Sequence, residues 1–339
     1  MINSIQNLTK NFVLVLITGA TGFIGSHLAE ELHRKGYKLR CLVRKTSNLV
    51  WLKHLPIEYV YGDLFDAEML RKSVEGVDYV YHVAGVTKSK DREGYFRGNH
   101  IATRNLLDAV REVKPDLKRF VLVSSLAAVG PSLDGRPVDE TTPYHPITSY
   151  GESKMEAEKE CLQLADSIPV SVVRPPAVYG PRDKDIFAFF DTMNKGLAPM
   201  IGFREKTVSL IHVADLIKGI VLAGEIPDAV GKVYFISSEK YYTWKEIGEI
   251  TGRVMHKPGF GLRIPVTLVY TIAGVSELFS MVTGRAVLLN WEKATDIVQD
   301  AWTCDISRAK KDLGFKESFS IEEGIRNTVA WYRQEGWLK

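Results

Sequence analysis

Cysteine is scarce: the 339 residues hold three, Cys41, Cys161 and Cys304, widely separated and with no Cys-x-x-Cys pair. A disulfide framework and a thiolate zinc site are therefore excluded, no metal is expected, and a reducing, cytoplasmic setting fits best. An excess of either charge is also missing, with 44 Lys and Arg against 41 Asp and Glu. A nucleic-acid partner is not expected, and a small molecule is. The opening MINSIQNLTKNF lacks the basic start, apolar stretch and small-residue cleavage site of a signal peptide. Internal repeats and low-complexity linkers are absent as well. One apolar run is long, IPVTLVYTIAGVSELFSMVT from Ile264 to Thr283, about the length a bilayer requires. Pro265 opens it and Glu277 interrupts it, and an ionised Glu inside a lone span would cost about 3 kcal/mol. The run is expected to be a buried or pocket-lining helix, with peripheral membrane contact left open but not predicted.

What is present is the composition of a globular protein, 45% hydrophobic and 25% charged. In the first half, short β-branched runs alternate with helical patterns. Strands are expected at Phe12 to Thr18, Lys38 to Val43, Glu58 to Tyr61, Tyr79 to Val83, Phe120 to Ser124 and Val170 to Arg174. Helices are expected at Phe23 to Lys35 and Tyr95 to Val113. This rhythm predicts an α/β fold, a Rossmann-type doubly wound parallel sheet with a smaller, mostly C-terminal substrate-binding domain. Residues 1–176, with contributions from about 205–236, would form the first unit. Residues 177–204 and 237–339 would form the second, with the active site in the cleft between them.

In VLVLITGATGFIGSHLAEEL, Gly19, Gly22 and Gly25 follow an apolar strand and lead into an amphipathic helix. A tight turn at a helix N-terminus lets backbone amides and the positive helix end meet a pyrophosphate. Thr21, Phe23 and Ile24 lie within the same turn and are expected on the cofactor side. NAD enzymes place an acid at the end of the second strand to hold the adenosine ribose. In LRCLVRKTSN no acid stands there; Arg44 and Lys45 do, followed by Thr46 and Ser47. That cluster suits a ribose 2′-phosphate, so NADP(H) is expected over NAD(H).

The fifth strand ends in Ser124 and Ser125, and TSYGESK follows with Tyr150 and Lys154 one helical turn apart on one face. Tyr241 and Lys245 share that spacing, but they lie beyond the central strands and read as a helix N-terminus and surface. A phenol with an ordinary pKa near 10 needs a neighbouring ammonium to exchange protons readily at neutral pH. Lys154 would supply that field. Tyr150 would then exchange a proton with an alcohol or carbonyl oxygen that Ser125 orients. A non-catalytic dinucleotide binder would need no such matched trio.

With these residues in view, the chain resembles the extended short-chain dehydrogenases/reductases, the NAD-dependent epimerase/dehydratase superfamily, over nearly its whole length. The matching motifs are TGATGFIG, GDL, HVAG, the serine pair, YGESK, RPPAVYGP, IHVAD and the ending CDISRAKKDLGF. The resemblance implies that Asp63 and Leu64 contact adenine and that Val83, Ala84 and Gly85 line the cofactor. It implies that Pro175 to Val178 seat the nicotinamide, with Tyr150 and Lys154 also touching the cofactor. Asn99 matches the asparagine of the family's Asn-x-x-Gly-Thr motif, although Ala102 replaces the glycine. His82 reads as structural.

Within the family, sugar-nucleotide enzymes usually carry Asn at the position of Ala177 and Arg near Val208 to hold a diphosphate; both are apolar here. The wording is closer to 3β-hydroxysteroid dehydrogenases and dihydroflavonol 4-reductases, which implies a hydrophobic ketone or secondary alcohol as substrate. Arg182, Lys184, Arg204 or Lys206 could still serve a phosphate, which keeps open a sugar-nucleotide epimerase or dehydratase with tightly bound NAD. Family members often dimerise through the helices near Tyr95 to Val113 and Ser149 to Ala165, and a homodimer is expected.

Overall fold

The computed structural model describes residues 12–283 and 290–339. Its centre is a parallel sheet of seven strands: β1 (Leu14–Thr18), β2 (Lys38–Val43), β3 (Ile57–Tyr61), β4 (Tyr79–His82), β5 (Arg119–Val123), β6 (Val170–Arg174) and an outer strand, Lys232–Phe235. From one edge the order is β3, β2, β1, β4, β5, β6 and the outer strand. The chain reverses direction across the sheet between β1 and β4, which pair Thr18 with His82. In open sheets of this kind ligands bind beyond the strand C-termini at that switch point. Both β5 and β6 are buried along their whole length, which is why they read as unbroken apolar runs.

Helices cover both faces. On one side α1 (Phe23–Arg34) and the helix Val213–Glu225 close a core around Val15, Ile17, Leu28, Leu216 and Ile220. On the other, α2 (Ala67–Val74), α4 (Ala102–Val113) and α5 (Ser149–Gln163) enclose Leu16, Val80, Leu106, Phe120 and Cys161. The helix expected from Tyr95 begins earlier, as α3 (Arg92–Tyr95), and runs into α4 through a wider turn at Phe96–Ile101. A separate core in the later chain packs Tyr179, Phe190 and Met193 on Ile247, Ile325 and Tyr332.

The run Ile264 to Thr283 departs from expectation. It ends a strand, Phe260–Ile264, and forms the helix Val266–Thr283, but the helix is not buried. Val269 and Ala273 face inward, whereas Val275 and Leu278 are 63% and 65% exposed. Among the described residues, Ile201 and Ile264 at the strand ends and the helix Trp291–Ile297 with Val298 pack against its inner side, and little covers the outer one. Among the described residues no helix is long and apolar enough to cross a membrane.

Candidate active site

The glycine turn follows β1 directly. Gly19 has φ +72, and a Cβ there would stand 2.5 Å from the Ala84 amide nitrogen, so only glycine fits between β1 and the end of β4. A Cβ on Gly25 would meet the Gly19 carbonyl oxygen at 2.1 Å, which explains the tight seating of α1 on its loop. Gly22 caps α1 without any side-chain hydrogen bond. The first-turn amides beside Thr21, Phe23 and Ile24 are thereby left without a side-chain cap and suit a phosphate. Arg44 lies exposed just past β2, and Ser47 accepts from its amide at 3.1 Å. The Asp63 carboxylate accepts from the Phe65 amide at 2.8 Å, and the Leu64 carbonyl accepts from Asn105 at 2.9 Å. Val83 and Ala84 are half-buried and Gly85 is exposed at the end of β4, all on the C-terminal edge that the glycine turn occupies. These features fit a dinucleotide laid across the switch point.

Gly85 also touches the second half of the site. A Cβ there would stand 3.1 Å from Lys154 Nζ and 3.0 Å from Asn99 Oδ1. Asn99 is buried and fully engaged: its amide donates to Val86 O and Ser153 Oγ, and its carbonyl accepts from Val86 N at 2.7 Å. It fixes the Val86 backbone, next to Gly85, against α5. His82 is buried between Thr18 and Thr103, at 2.6 and 2.9 Å, and burial holds its pKa down to about 3. It is a neutral, structural histidine, as its place at a strand end suggested.

Tyr150 stands in the first turn of α5, which Thr148 caps by accepting from Gly151 N. Its ring lies edge-on to Tyr95, centroids 6.2 Å apart. Ser125 opens the turn after β5, accepts from Ala127 N, and its hydroxyl lies within hydrogen-bonding reach of the Tyr150 phenol. Lys154 is buried and donates to Val123 O at 2.9 Å. The three candidate groups are thus brought together, at the end of β5 and the start of α5. Tyr241 is remote from them: it lies just before Thr243, which caps the helix Trp244–Met255, and Lys245 is exposed in that helix.

The electrostatics differ from expectation in one respect. The Tyr150 phenol is not depressed; desolvation of its hydroxyl end pushes it up to about 12, eased by Ser125 and reinforced by Asp296 and Asp185. Lys154 is itself pulled down to about 8 by burial, with Glu158, one turn along α5, opposing the shift. Lys154 donates to the Val123 carbonyl, and burial of the phenol is the largest influence on its pKa.

Sequence reasoning missed the far side of the site. Glu292, on the helix Trp291–Ile297, accepts from both Ser149 N and Ser149 Oγ, at 3.1 and 2.5 Å. Asp296 of the same helix raises the Tyr150 pKa. Ser124, beside Ser125, is buried with no hydrogen-bond partner for its hydroxyl. Pro175 is buried, Val178 half-buried and Ala177 exposed just beyond β6. The cations weighed for a phosphate are mostly engaged. Arg182 bonds Ser26 and Glu30 and stacks on Trp51. Lys206 is buried against the carbonyls of Val298 and Gln299, and Arg204 pairs with Asp300 at 3.5 Å.

Residues 15–237 match the model of the NAD dependent epimerase/dehydratase family. The chain is 32% identical over 326 residues to a ceramide reductase of Caulobacter vibrioides, covering 96% of each chain. It is 31% identical to a putative dihydroflavonol 4-reductase of a Synechocystis strain, covering 95% of each. Among solved structures, that of gox2253 superposes with a TM-score of 0.81 at 29% identity, covering 96% of this chain and 99% of the other.

Proposed function

Because this chain belongs to the NAD dependent epimerase/dehydratase family, the extended short-chain dehydrogenases/reductases, and is an NAD(P)-dependent oxidoreductase, we propose that it is an NADP(H)-linked reductase of a hydrophobic ketone. The observation that carries this reading is the engagement of Arg182 and Lys206 by groups of the fold, with apolar Ala177 exposed just beyond β6. A diphosphate stripped of water needs paired donors or cations, and of the cations weighed for it Lys184 and Arg204, whose pair with Asp300 is exposed, stand outside such an engagement. The similar proteins named as reductases of ceramide and dihydroflavonol point the same way, since neither named substrate contains a diphosphate.

In this reading Gly19, Gly22, Gly25 and the first-turn amides of α1 hold the pyrophosphate, and Arg44 grips the ribose 2′-phosphate. Asp63 and Leu64 border the adenine; Val83, Ala84 and Gly85 line the cofactor, and Pro175 to Val178 seat the nicotinamide. When bound, the nicotinamide supplies a hydride to the carbonyl carbon. Ser125 and Tyr150 donate hydrogen bonds to the carbonyl oxygen and fix its orientation. Tyr150, with its pKa near 12, is protonated at neutral pH and gives its proton to that oxygen as negative charge develops on it. Lys154, anchored by Val123 O, holds a positive charge near the phenolate that remains and favours its formation.

The test is the nucleotide that accompanies the purified protein. A reductase with a diffusible cofactor arrives empty or with NADP and takes up NADPH. Tightly retained NAD, with no uptake of NADPH, would favour an epimerase or dehydratase instead.

A further inference from the structure

Most of the large apolar side chains exposed among the described residues fall between Leu197 and Trp291. On the helix Val266–Thr283, Leu268, Ile272, Val275 and Leu278 recur every three or four residues and form one outward stripe, each 45% exposed or more. The two-stranded ribbon that leads into it pairs Phe260–Ile264 with Leu197–Ile201 and adds Phe260, 73% exposed, and Leu262 on one face. Arg263, which strand alternation places on the other face of the ribbon, bonds the carbonyl of exposed Phe203 at 2.9 Å. An isolated exposed apolar residue needs no explanation, whereas a contiguous surface of them marks an interaction site.

The charge beside this surface is predominantly positive, with half-buried Glu277 on the helix and exposed Glu205 near Phe203 as acidic exceptions. From Arg253 to Ser276 the sequence contains no Asp or Glu. Arg253, Lys257 and Arg263 are exposed, and none has a carboxylate partner among the described residues. An apolar stripe bordered by unpaired cations is complementary to an anionic lipid surface, where apolar insertion and attraction to headgroups act together. A second copy of this chain would bring the same excess of cations to the contact, and the test below separates that occupant from lipid. The inner side of the helix, Val269 and Ala273, is packed on Ile201, Ile264 and Ala294, so the helix is held as a face and not as a span.

We propose that this face docks the protein on an anionic lipid bilayer, with the helix Val266–Thr283 lying in the plane of the interface. The helix meets Trp291–Ile297 through Tyr270 and Trp291, ring centroids 4.8 Å apart, and Glu292 of that helix holds the start of α5. The docking face thus ends one helix from Tyr150, where a lipid-dissolved ketone would enter. That last link rests on the proposed function; the docking does not.

The test is co-sedimentation with vesicles of phosphatidylcholine alone or mixed with phosphatidylglycerol, with neither cofactor nor substrate added. The wild-type protein should sediment with the anionic vesicles, and less so as salt rises. Ile272→Gln combined with Val275→Gln should weaken partitioning at least about tenfold. Lys257→Glu or Arg263→Glu should lower it on anionic vesicles by roughly fivefold or more and leave phosphatidylcholine binding unchanged. A thermal melt confirms that each variant is folded, and the surface-charge variants keep the proposal testable if the helix pair is not. Wild-type protein that stays in the supernatant with both lipids would overturn the proposal, as would folded variants that sediment like wild type. So would a wild-type dimer, seen by light scattering, that becomes monomeric in the Ile272/Val275 variant while vesicles bind neither. Turnover of NADPH with a water-soluble ketone, measured without vesicles, reports on the proposed function separately: its failure leaves the docking result standing, and the reverse holds as well.

Discussion

The Glu292 carboxylate accepts hydrogen bonds from both the amide and the hydroxyl of Ser149, the residue immediately before Tyr150. It places negative charge at the N-terminal end of α5, where the helix dipole favours it, and anchors the candidate proton donor from a helix far along the chain. Glu292→Ala should therefore loosen the first turn of α5. A hydrogen bond to a charged group is worth about 1.5–3 kcal/mol, so turnover is expected to drop roughly tenfold or more, with NADPH affinity nearly unchanged because the pyrophosphate turn is untouched. Steady-state kinetics beside a fluorescence titration with NADPH check this, and Glu292→Gln, which keeps one acceptor, should recover part of the loss.

Tyr150→Phe removes one hydroxyl from the proton path and nothing from the dinucleotide cradle. Loss of general acid help typically costs about 100- to 10,000-fold in rate, and NADPH binding should survive. Tyr241→Phe is the matched control, because that tyrosine satisfies the same sequence spacing but borders the helix Trp244–Met255; it should behave as wild type. Equal rates for Tyr150→Phe and wild type would remove Tyr150 from the mechanism.

The pH dependence follows from Lys154. Burial lowers its pKa to about 8, so it is cationic below that pH and loses its charge as pH rises through it. Tyr150, near 12, remains protonated over the same range. In the reductive direction kcat/KM should be level at neutral pH and fall as pH rises through about 8. In Lys154→Arg, whose guanidinium does not titrate there, that alkaline limb should be absent, even if the overall rate is lower.

Arg44 carries the cofactor choice. Its guanidinium is exposed past β2, and only NADPH offers it a phosphate. Arg44→Ala should weaken NADPH by about 10- to 150-fold, the value of a hydrogen bond to a charged group, and leave NADH nearly as it was. Equal weakening of both would mean that Arg44 acts through the fold.

The parts of the site that are local in sequence were legible. Gly19, Gly22 and Gly25 sit in one turn, and Tyr150 and Lys154 share one helix face, so spacing alone puts them together. Of the seven central strands, β5 and β6 were legible because burial along their whole length makes them largely apolar, and β1 to β4 from their β-branched and aromatic runs; the outer strand Lys232–Phe235 is short and half-buried in its first two residues, and carries little of that signal. Glu292 and Asp296 were invisible, because nothing in WEKATDI says which distant helix it meets. The raised pKa of Tyr150 was not legible for a related reason: Lys154 is one turn away in the sequence, whereas the burial and the carboxylates that raise the phenol come from tertiary packing. The run Ile264 to Thr283 was read as a buried or pocket-lining helix because its composition is apolar, yet burial depends on how much surface the rest of the fold can lay over it.

The central claim is that hydride passes from NADPH to a hydrophobic carbonyl, with Tyr150 supplying the proton. It is tested most directly by incubating the enzyme with 4-deuterated NADPH and a panel of hydrophobic ketones, and examining the products by mass spectrometry. The account predicts an alcohol carrying one deuterium on the former carbonyl carbon, formed in step with one NADP⁺, and absent with Tyr150→Phe. Epimerisation or dehydration of a nucleotide sugar without net change in the nicotinamide, and no deuterated alcohol from any ketone, would contradict it.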